Sequence, residues 1–231
     1  MNVLVTGGCR GIGRAIVEQF LQRGHNVFVV DKDPIDAPCR VIQCDISKEG
    51  DAQRLSSLNI DCLVNNAGII KVGNFEEQSP EEWMELIRTN LLGPMICSKI
   101  FSGVLKKNKG CIVNIISTHV FIPHDMSELG INGTVAYTAT KSGLLGFTKA
   151  LAVEYGKYGV RVNGICPGIV QTEMTKELFM DSITTDYLLK KIPLHNFTDK
   201  KDIADTVLFL AENKSITGEV IIVDGGFIAT Q

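Results

Sequence analysis

Seven short apolar runs punctuate the chain, at Val3–Val5, Val27–Val30, Val41–Cys44, Cys62–Val64, Ile112–Ile116, Val160–Ile165 and Val220–Val223. Consecutive apolar residues in a strand must be buried on both faces, which happens when a parallel sheet is covered by helices on each side. The segments between the runs supply those helices. Ile12, Ala15, Ile16 and Phe20 recur at helical spacing before Gly24, a helix-ending glycine, so the first two runs and this segment make a βαβ unit. Ser79-Pro80-Glu81-Glu82 reads as a capping box with proline at the first helical position, opening one long helix over Glu81 to Lys107. Another is expected from Tyr137 to Lys157. Lys32 to Cys39, with Pro34 and Pro38, is too short for a crossover helix and predicts a coil that leaves the neighbouring edge more open. No repeat, low-complexity tract or linker divides residues 1–231, which read as one doubly wound α/β domain with a seven-stranded parallel sheet.

Composition narrows the partners. A net charge of -3 with 21% charged residues offers no basic surface for nucleic acid or an anionic membrane, which leaves small molecules. No basic leader precedes Val3, and no apolar stretch approaches the roughly 20 residues that span a bilayer, so the expected location is the cytoplasm. The seven cysteines are odd in number and scattered, without CxxC pairs or histidines at zinc spacing. They read as free thiols in a reducing compartment, with no metal site.

Thr6-Gly7-Gly8-Cys9-Arg10-Gly11-Ile12-Gly13 follows a strand and enters a helix, the setting of a dinucleotide-binding turn in a Rossmann fold. Glycines let the backbone approach a pyrophosphate while helix N-terminal amides and the macrodipole favour its charge. Asp31 ends the next strand 18 residues after Gly13, where a carboxylate accepts hydrogen bonds from ribose hydroxyls and repels a 2′-phosphate.

The T-G-x-x-x-G-x-G spacing resembles the short-chain dehydrogenase/reductase family, and the resemblance extends over nearly the whole chain. Cys44-Asp45-Ile46 is similar to the family's adenine-contacting strand end, and Asn65-Asn66-Ala67-Gly68 to its N-N-A-G motif. Pro167-Gly168-Ile169 with Thr172 resembles the segment that holds the nicotinamide carboxamide. Thr217-Gly218 and Val223-Asp224-Gly225-Gly226 resemble the C-terminal signature.

Tyr137 and Lys141 stand four residues apart, on one helix face. Interconverting an alcohol and a carbonyl needs a proton at oxygen as well as a hydride at carbon, and a phenol with pKa near ~10 is a poor base at neutral pH. An ammonium about 4 Å away, at an effective dielectric of ~20, favours phenolate by ~4 kcal/mol, roughly three pKa units. The resemblance implies that Tyr137 is the acid/base, that Lys141 lowers its pKa and binds the nicotinamide ribose, that Ser117 hydrogen-bonds the substrate oxygen, and that Asn90 positions a proton-relay water. His119, His124 and Asp125 fall in a connection, 119–134, longer than the family pattern; loop histidines are usually solvated or locally hydrogen-bonded. Met174, Leu178, Phe179, Met180, Ile183, Tyr187, Leu188 and Leu189 form an apolar segment that reads first as packing.

The implied activity is hydride transfer between NAD(H) and an alcohol or ketone. An NADPH-dependent 3-oxoacyl-thioester reductase stays open because Arg10 or Lys32 could pair with a 2′-phosphate. So does an idle dinucleotide sensor, which would be expected to have lost Tyr137 or Lys141. By resemblance the two long helices meet a second copy, giving a homotetramer or, next, a homodimer.

Overall fold

The computed structural model describes residues 1–122 and 133–230. Every apolar run is a strand: β1 (Asn2–Thr6), β2 (Asn26–Asp31), β3 (Arg40–Gln43), β4 (Cys62–Asn65), β5 (Cys111–Ile115), β6 (Arg161–Pro167) and β7 (Val220–Val223). All pair in parallel in the order β3-β2-β1-β4-β5-β6-β7, a doubly wound Rossmann fold. Alternate residues serve opposite layers. Val3, Val5, Cys62, Val64, Cys111 and Val113 pack on α1 (Gly11–Gln22) and α8 (Lys200–Glu212). Leu4, Leu63, Ile112 and Val162 pack on the other face, against α4 (Gly93–Ile100), α5 (Ser102–Asn108) and α6 (Val135–Gly156). Strand order reverses between β1 and β4, and the crevice beyond their carboxyl ends is where such sheets bind ligands.

The helix expected over Glu81 to Lys107 is three helices. The Ser79 capping box forms and starts α3 (Pro80–Ile87), but a π turn over Arg88–Leu92 separates it from α4, and Phe101 separates α4 from α5. Pro94 has no N–H to return to the Asn90 carbonyl, so the α ladder lapses there and the wider π turn buries Asn90 completely. α2 (Glu49–Ala52) is a single turn, and α7 (Ser182–Lys190) follows a 3-10 segment at Glu173–Phe179.

Lys32 to Cys39 is coil, as its length requires, but it does not leave the edge open. Arg10 Nη2 donates to the Asp33 carbonyl at 3.0 Å, Arg14 Nη1 to the Asp36 carbonyl at 2.9 Å, and the Cys9 thiol toward the Ile35 carbonyl at 3.7 Å. These bonds fold the coil back over the start of α1.

A buried polar chain fixes the strands that carry the site. Asn65 Nδ2 donates to Asn114 Oδ1 at 2.8 Å and Asn114 Nδ2 to Thr148 Oγ1 at 2.9 Å, tying β4 and β5 to α6. No helix among the described residues is long and apolar enough to cross a membrane.

Candidate active site

One cavity of about 1190 Å³ opens at the carboxyl ends of the strands. It is lined by Gly7, Arg10, Gly11, Ile12, Gly13, Asp31, Asp45, Ile46, Asn66, Ala67, Gly68, Ser117, Tyr137, Lys141, Pro167, Gly168, Ile169 and Thr172, so residues far apart in the chain converge as their motifs implied. Asn90 lies behind the wall.

The glycine turn is held by contacts too close for side chains. Gly7 has φ +64° and would place a Cβ 2.8 Å from Ala67 Cα; a Cβ on Gly13 would lie 2.1 Å from the Gly7 carbonyl oxygen. Thr6, the first residue of the motif, organises this turn: its Oγ1 accepts the Asn66 and Ala67 N–H groups at 3.0 and 3.1 Å. Asn66 Nδ2 donates to the Thr6 and Gly7 carbonyls at 3.0 and 2.9 Å, so its amide clamps the turn. The N-cap of α1, Arg10, makes no side-chain cap bond, and no acidic residue stands in the first turn. The first amides of α1 therefore face the cavity as an anion cradle, and a pyrophosphate fits it. Asp31 Oδ2 accepts Cys9 N–H at 3.3 Å and Oδ1 accepts Asp33 N–H at 3.2 Å, which aims the carboxylate along the cavity edge. Asp45 Oδ1 accepts from the Ser47 amide and hydroxyl at 3.0 and 2.6 Å; those bonds outweigh its desolvation and hold its carboxyl below the usual range.

At the other half, β5 delivers Ser117 and α6 delivers Tyr137 and Lys141 on one face. Lys141 is 4% exposed; its Nζ donates to the Ile115 carbonyl at 2.8 Å and lies 5.8 Å from the Tyr137 ring centroid. The expectation that Lys141 draws the phenol toward neutrality is not met in this arrangement. Burial pushes Tyr137 up to about 12, against a hydrogen bond with Ser117, while burial pushes Lys141 down to about 8. Loss of water is the leading cause for both groups, and the Lys141 ammonium directs a hydrogen bond to the Ile115 carbonyl. Cys166 is fully buried beside them: burial raises its thiol to about 11, opposed by the Ser117 backbone and the Lys141 charge.

Two neighbours of the site have defined partners. The Asn90 side chain accepts Ile69 N–H at 2.8 Å through Oδ1, and its Nδ2 donates to the Ile69 carbonyl at 2.9 Å and to Thr140 Oγ1 at 3.3 Å. His119 takes the locally hydrogen-bonded alternative: it sits on a 3-10 turn, its Nδ1 is 3.1 Å from Ser117 Oγ, and its ring meets Tyr137 edge-on at 5.5 Å. His124 and Asp125 lie outside the described residues.

The segment after β6 closes the mouth. Thr172 lies over Gly11, 3.5 Å from where a Cβ there would be. Met174, Leu178, Tyr187 and Leu188 line the cavity, and of the apolar segment Leu188 alone is buried core; Met174 is 48%, Ile183 73% and Met180 82% exposed. Packing does not account for it.

A family model described as enoyl-(acyl carrier protein) reductase matches residues 7–228. The chain is 36% identical over 237 residues to carbonyl reductase family member 4 of Xenopus laevis, covering 96% of this chain and 95% of that protein. It is 35% identical over 242 residues to a 3-oxoacyl-(acyl-carrier-protein) reductase of Bos taurus, covering 98% and 97%. Among solved structures, 4-hydroxyisoleucine dehydrogenase complexed with NADH superposes with a TM-score of 0.90 at 29% identity, covering 100% of this chain and 99% of that one.

Proposed function

The chain belongs to the short-chain dehydrogenase/reductase family and is an oxidoreductase that uses a nicotinamide dinucleotide, and from that premise we propose that it interconverts an alcohol and its ketone with NAD(H). The observation that carries this reading is the convergence of Ser117, Tyr137 and Lys141 on the same cavity as the uncapped start of α1.

When bound, the nicotinamide supplies or takes the hydride. Tyr137, neutral at pH 7 with its pKa up at about 12, stands in the form that donates a proton to a carbonyl oxygen. Ser117 hydrogen-bonds that oxygen and orients it against the phenol. Lys141 holds the nicotinamide ribose, and Asn90 acts as a positioning residue through Ile69. Gly7, Arg10, Gly11, Ile12 and Gly13 hold the pyrophosphate. Asp31 holds the adenosine ribose, Asp45 and Ile46 the adenine, and Asn66, Ala67 and Gly68 the inner cavity wall. Pro167, Gly168, Ile169 and Thr172 hold the carboxamide end.

NAD is favoured over NADP because Asp31 presents a carboxylate where a 2′-phosphate would sit, each unit like-charge pair near 4 Å costing ~4 kcal/mol at a dielectric of ~20 before exposure reduces it. Of the two cations that could pair with a 2′-phosphate, Arg10 and Lys32, Arg10 donates from Nη2 to the Asp33 carbonyl. Steady-state kinetics across alcohols and ketones should give higher kcat/KM with NAD(H), and Asp31→Ala should shift the preference toward NADP(H). A tenfold wild-type preference for NADPH would instead support a 3-oxoacyl-thioester reductase, the second reading, which rests on likeness to the bovine enzyme.

One domain, residues 1–231, carries both halves of this chemistry, and the scattered free cysteines suit a cytoplasmic location. Assembly as a homotetramer, or a homodimer, is supported by exposed apolar residues on α3, α4 and α6: Met84, Ile87, Met95 and Val153, the last 84% exposed. Light scattering should give a mass above the monomer at micromolar concentration; a monomer mass would refute the assembly.

A further inference from the structure

Far from the cofactor cleft, at the amino end of the sheet, three adjacent strands place two thiols and a guanidinium in one row. Cys62 opens β4, Cys111 opens β5 and Arg161 opens β6; the register sets Cys62 opposite Cys111, and Cys111 opposite Arg161. Neighbouring strands lie about 4.8 Å apart. That falls within the roughly 4.4–6.8 Å between Cα atoms that a disulfide spans. Both thiols point to the α1 and α8 layer, so their Cβ atoms share a side.

We propose that Cys62 and Cys111 are a peroxide-reactive dithiol, Cys111 the attacking and Cys62 the resolving thiol, that closes to a reversible disulfide between β4 and β5. Access and activation both single out Cys111. It lines a cavity of about 160 Å³ together with Met1, Lys109, Arg161, Ala211 and Lys214. A water occupies about 30 Å³ of liquid, so the cavity has room for hydrogen peroxide beside Cys111. Arg161 is held beside it by donation to the Leu210 and Ala211 carbonyls at 2.5 and 2.7 Å, and the Ala211 carbonyl also takes the Cys111 S–H at 3.8 Å. The neighbouring Cys62 thiol and the Arg161 charge hold the Cys111 thiol below the ordinary range against the cost of burial, while Cys111 and burial hold the Cys62 thiol above it. A cationic neighbour and a favoured thiolate are what make a cysteine nucleophilic. By contrast, burial raises the thiols of Cys39, Cys44, Cys97 and Cys166.

The chemistry balances with hydrogen peroxide as oxidant. Cys111 sulfur attacks one peroxide oxygen, the O–O bond breaks, and the departing hydroxide takes the thiol proton as water, leaving a sulfenic acid. Cys62 sulfur then attacks Cys111 sulfur, and its proton leaves with the sulfenic hydroxyl as a second water. One peroxide is reduced and two thiols become one disulfide.

The test treats the folded full chain with hydrogen peroxide, labels remaining thiols with N-ethylmaleimide under denaturing conditions, and maps the peptides by mass spectrometry. The expected product is a peptide pair joined through Cys62 and Cys111, released by dithiothreitol. In Cys62→Ser, Cys111 should stop as a sulfenic acid that dimedone traps; in Cys111→Ser, oxidation of Cys62 should slow at least about tenfold. Full labelling of both cysteines after peroxide, joining as fast in urea-unfolded as in folded protein, or unchanged Cys62 oxidation in Cys111→Ser would each overturn the proposal.

Discussion

Where the dinucleotide half of the cleft is walled by backbone packed against backbone, the substrate half is walled by side chains that reach solvent. Gly7, Gly13 and Ala67 approach so closely that added Cβ atoms would collide, and Thr6 and Asn66 spend their polar atoms holding that arrangement. Across the cavity, Met174 leans into the mouth from a 3-10 segment followed by exposed Met180 and Ile183. A ligand common to a whole family calls for a floor that cannot vary, whereas substrate choice is carried by residues that can be exchanged without disturbing the sheet. Between the halves stand Ser117, Tyr137 and Lys141, delivered by the two elements that Asn114 and Thr148 lock together.

The largest effect is expected at that junction. Tyr137→Phe removes the one proton the phenol can donate and leaves the floor untouched, so turnover should fall by at least ~10²-fold while dinucleotide affinity changes little. Single-turnover kinetics beside a cofactor titration separates the two; near-wild-type turnover would remove Tyr137 from its role.

How much of this was legible before the structure follows from what each feature depends on. The strands could be read because burial on both faces leaves an unbroken apolar run, and Tyr137 and Lys141 because helical spacing alone sets them on one face. The ionisation of Tyr137 was not legible. It depends on lost water and on the Ser117 hydrogen bond that opposes that loss, and neither is written in the four-residue spacing. The broken helix was half written: Pro94 stood inside the expected span, but the fate of the freed Asn90 depends on Ile69, 21 positions earlier in the chain. His119 likewise took its meaning from Ser117 and Tyr137, contacts that a loop position does not reveal.

The second expected effect comes from the same junction and concerns pH. Lys141 titrates at about 8 when folded against 10.5 unfolded, so between those values the unfolded chain binds the extra proton and stability must rise with pH. The charged form is what burial penalises; that penalty is full below about pH 8 and is relieved as the pH climbs toward 10.5. The total is on the order of 3 kcal/mol for the ligand-free protein. Urea unfolding of wild type and Lys141→Met between about pH 8 and pH 10 should show a rise in wild type that the variant lacks. Parallel curves would mean that Lys141 keeps its water.

The smallest effects test the contrast between the two halves directly. Gly13→Ala pushes a methyl group to 2.1 Å from the Gly7 carbonyl, where α1 meets the turn and no flexible side-chain end can yield. Overpacking of this kind costs about 1–3 kcal/mol, and because the same atoms form the anion cradle, dinucleotide affinity should fall with the melting temperature. Met174→Ser, at a residue 48% exposed on the mouth, should move stability by no more than about 0.5 kcal/mol. Its effect belongs to the substrate: removing a side chain that contacts an apolar substrate forfeits about 1 kcal/mol of burial, roughly a fivefold rise in KM, with kcat and cofactor affinity unchanged. Thermal melts and steady-state kinetics on the pair settle the contrast. If Met174→Ser destabilises as much as Gly13→Ala, the mouth is core and the division of the cleft is wrong; if it leaves KM untouched for apolar ketones while raising it for polar ones, the mouth selects by polar contact instead.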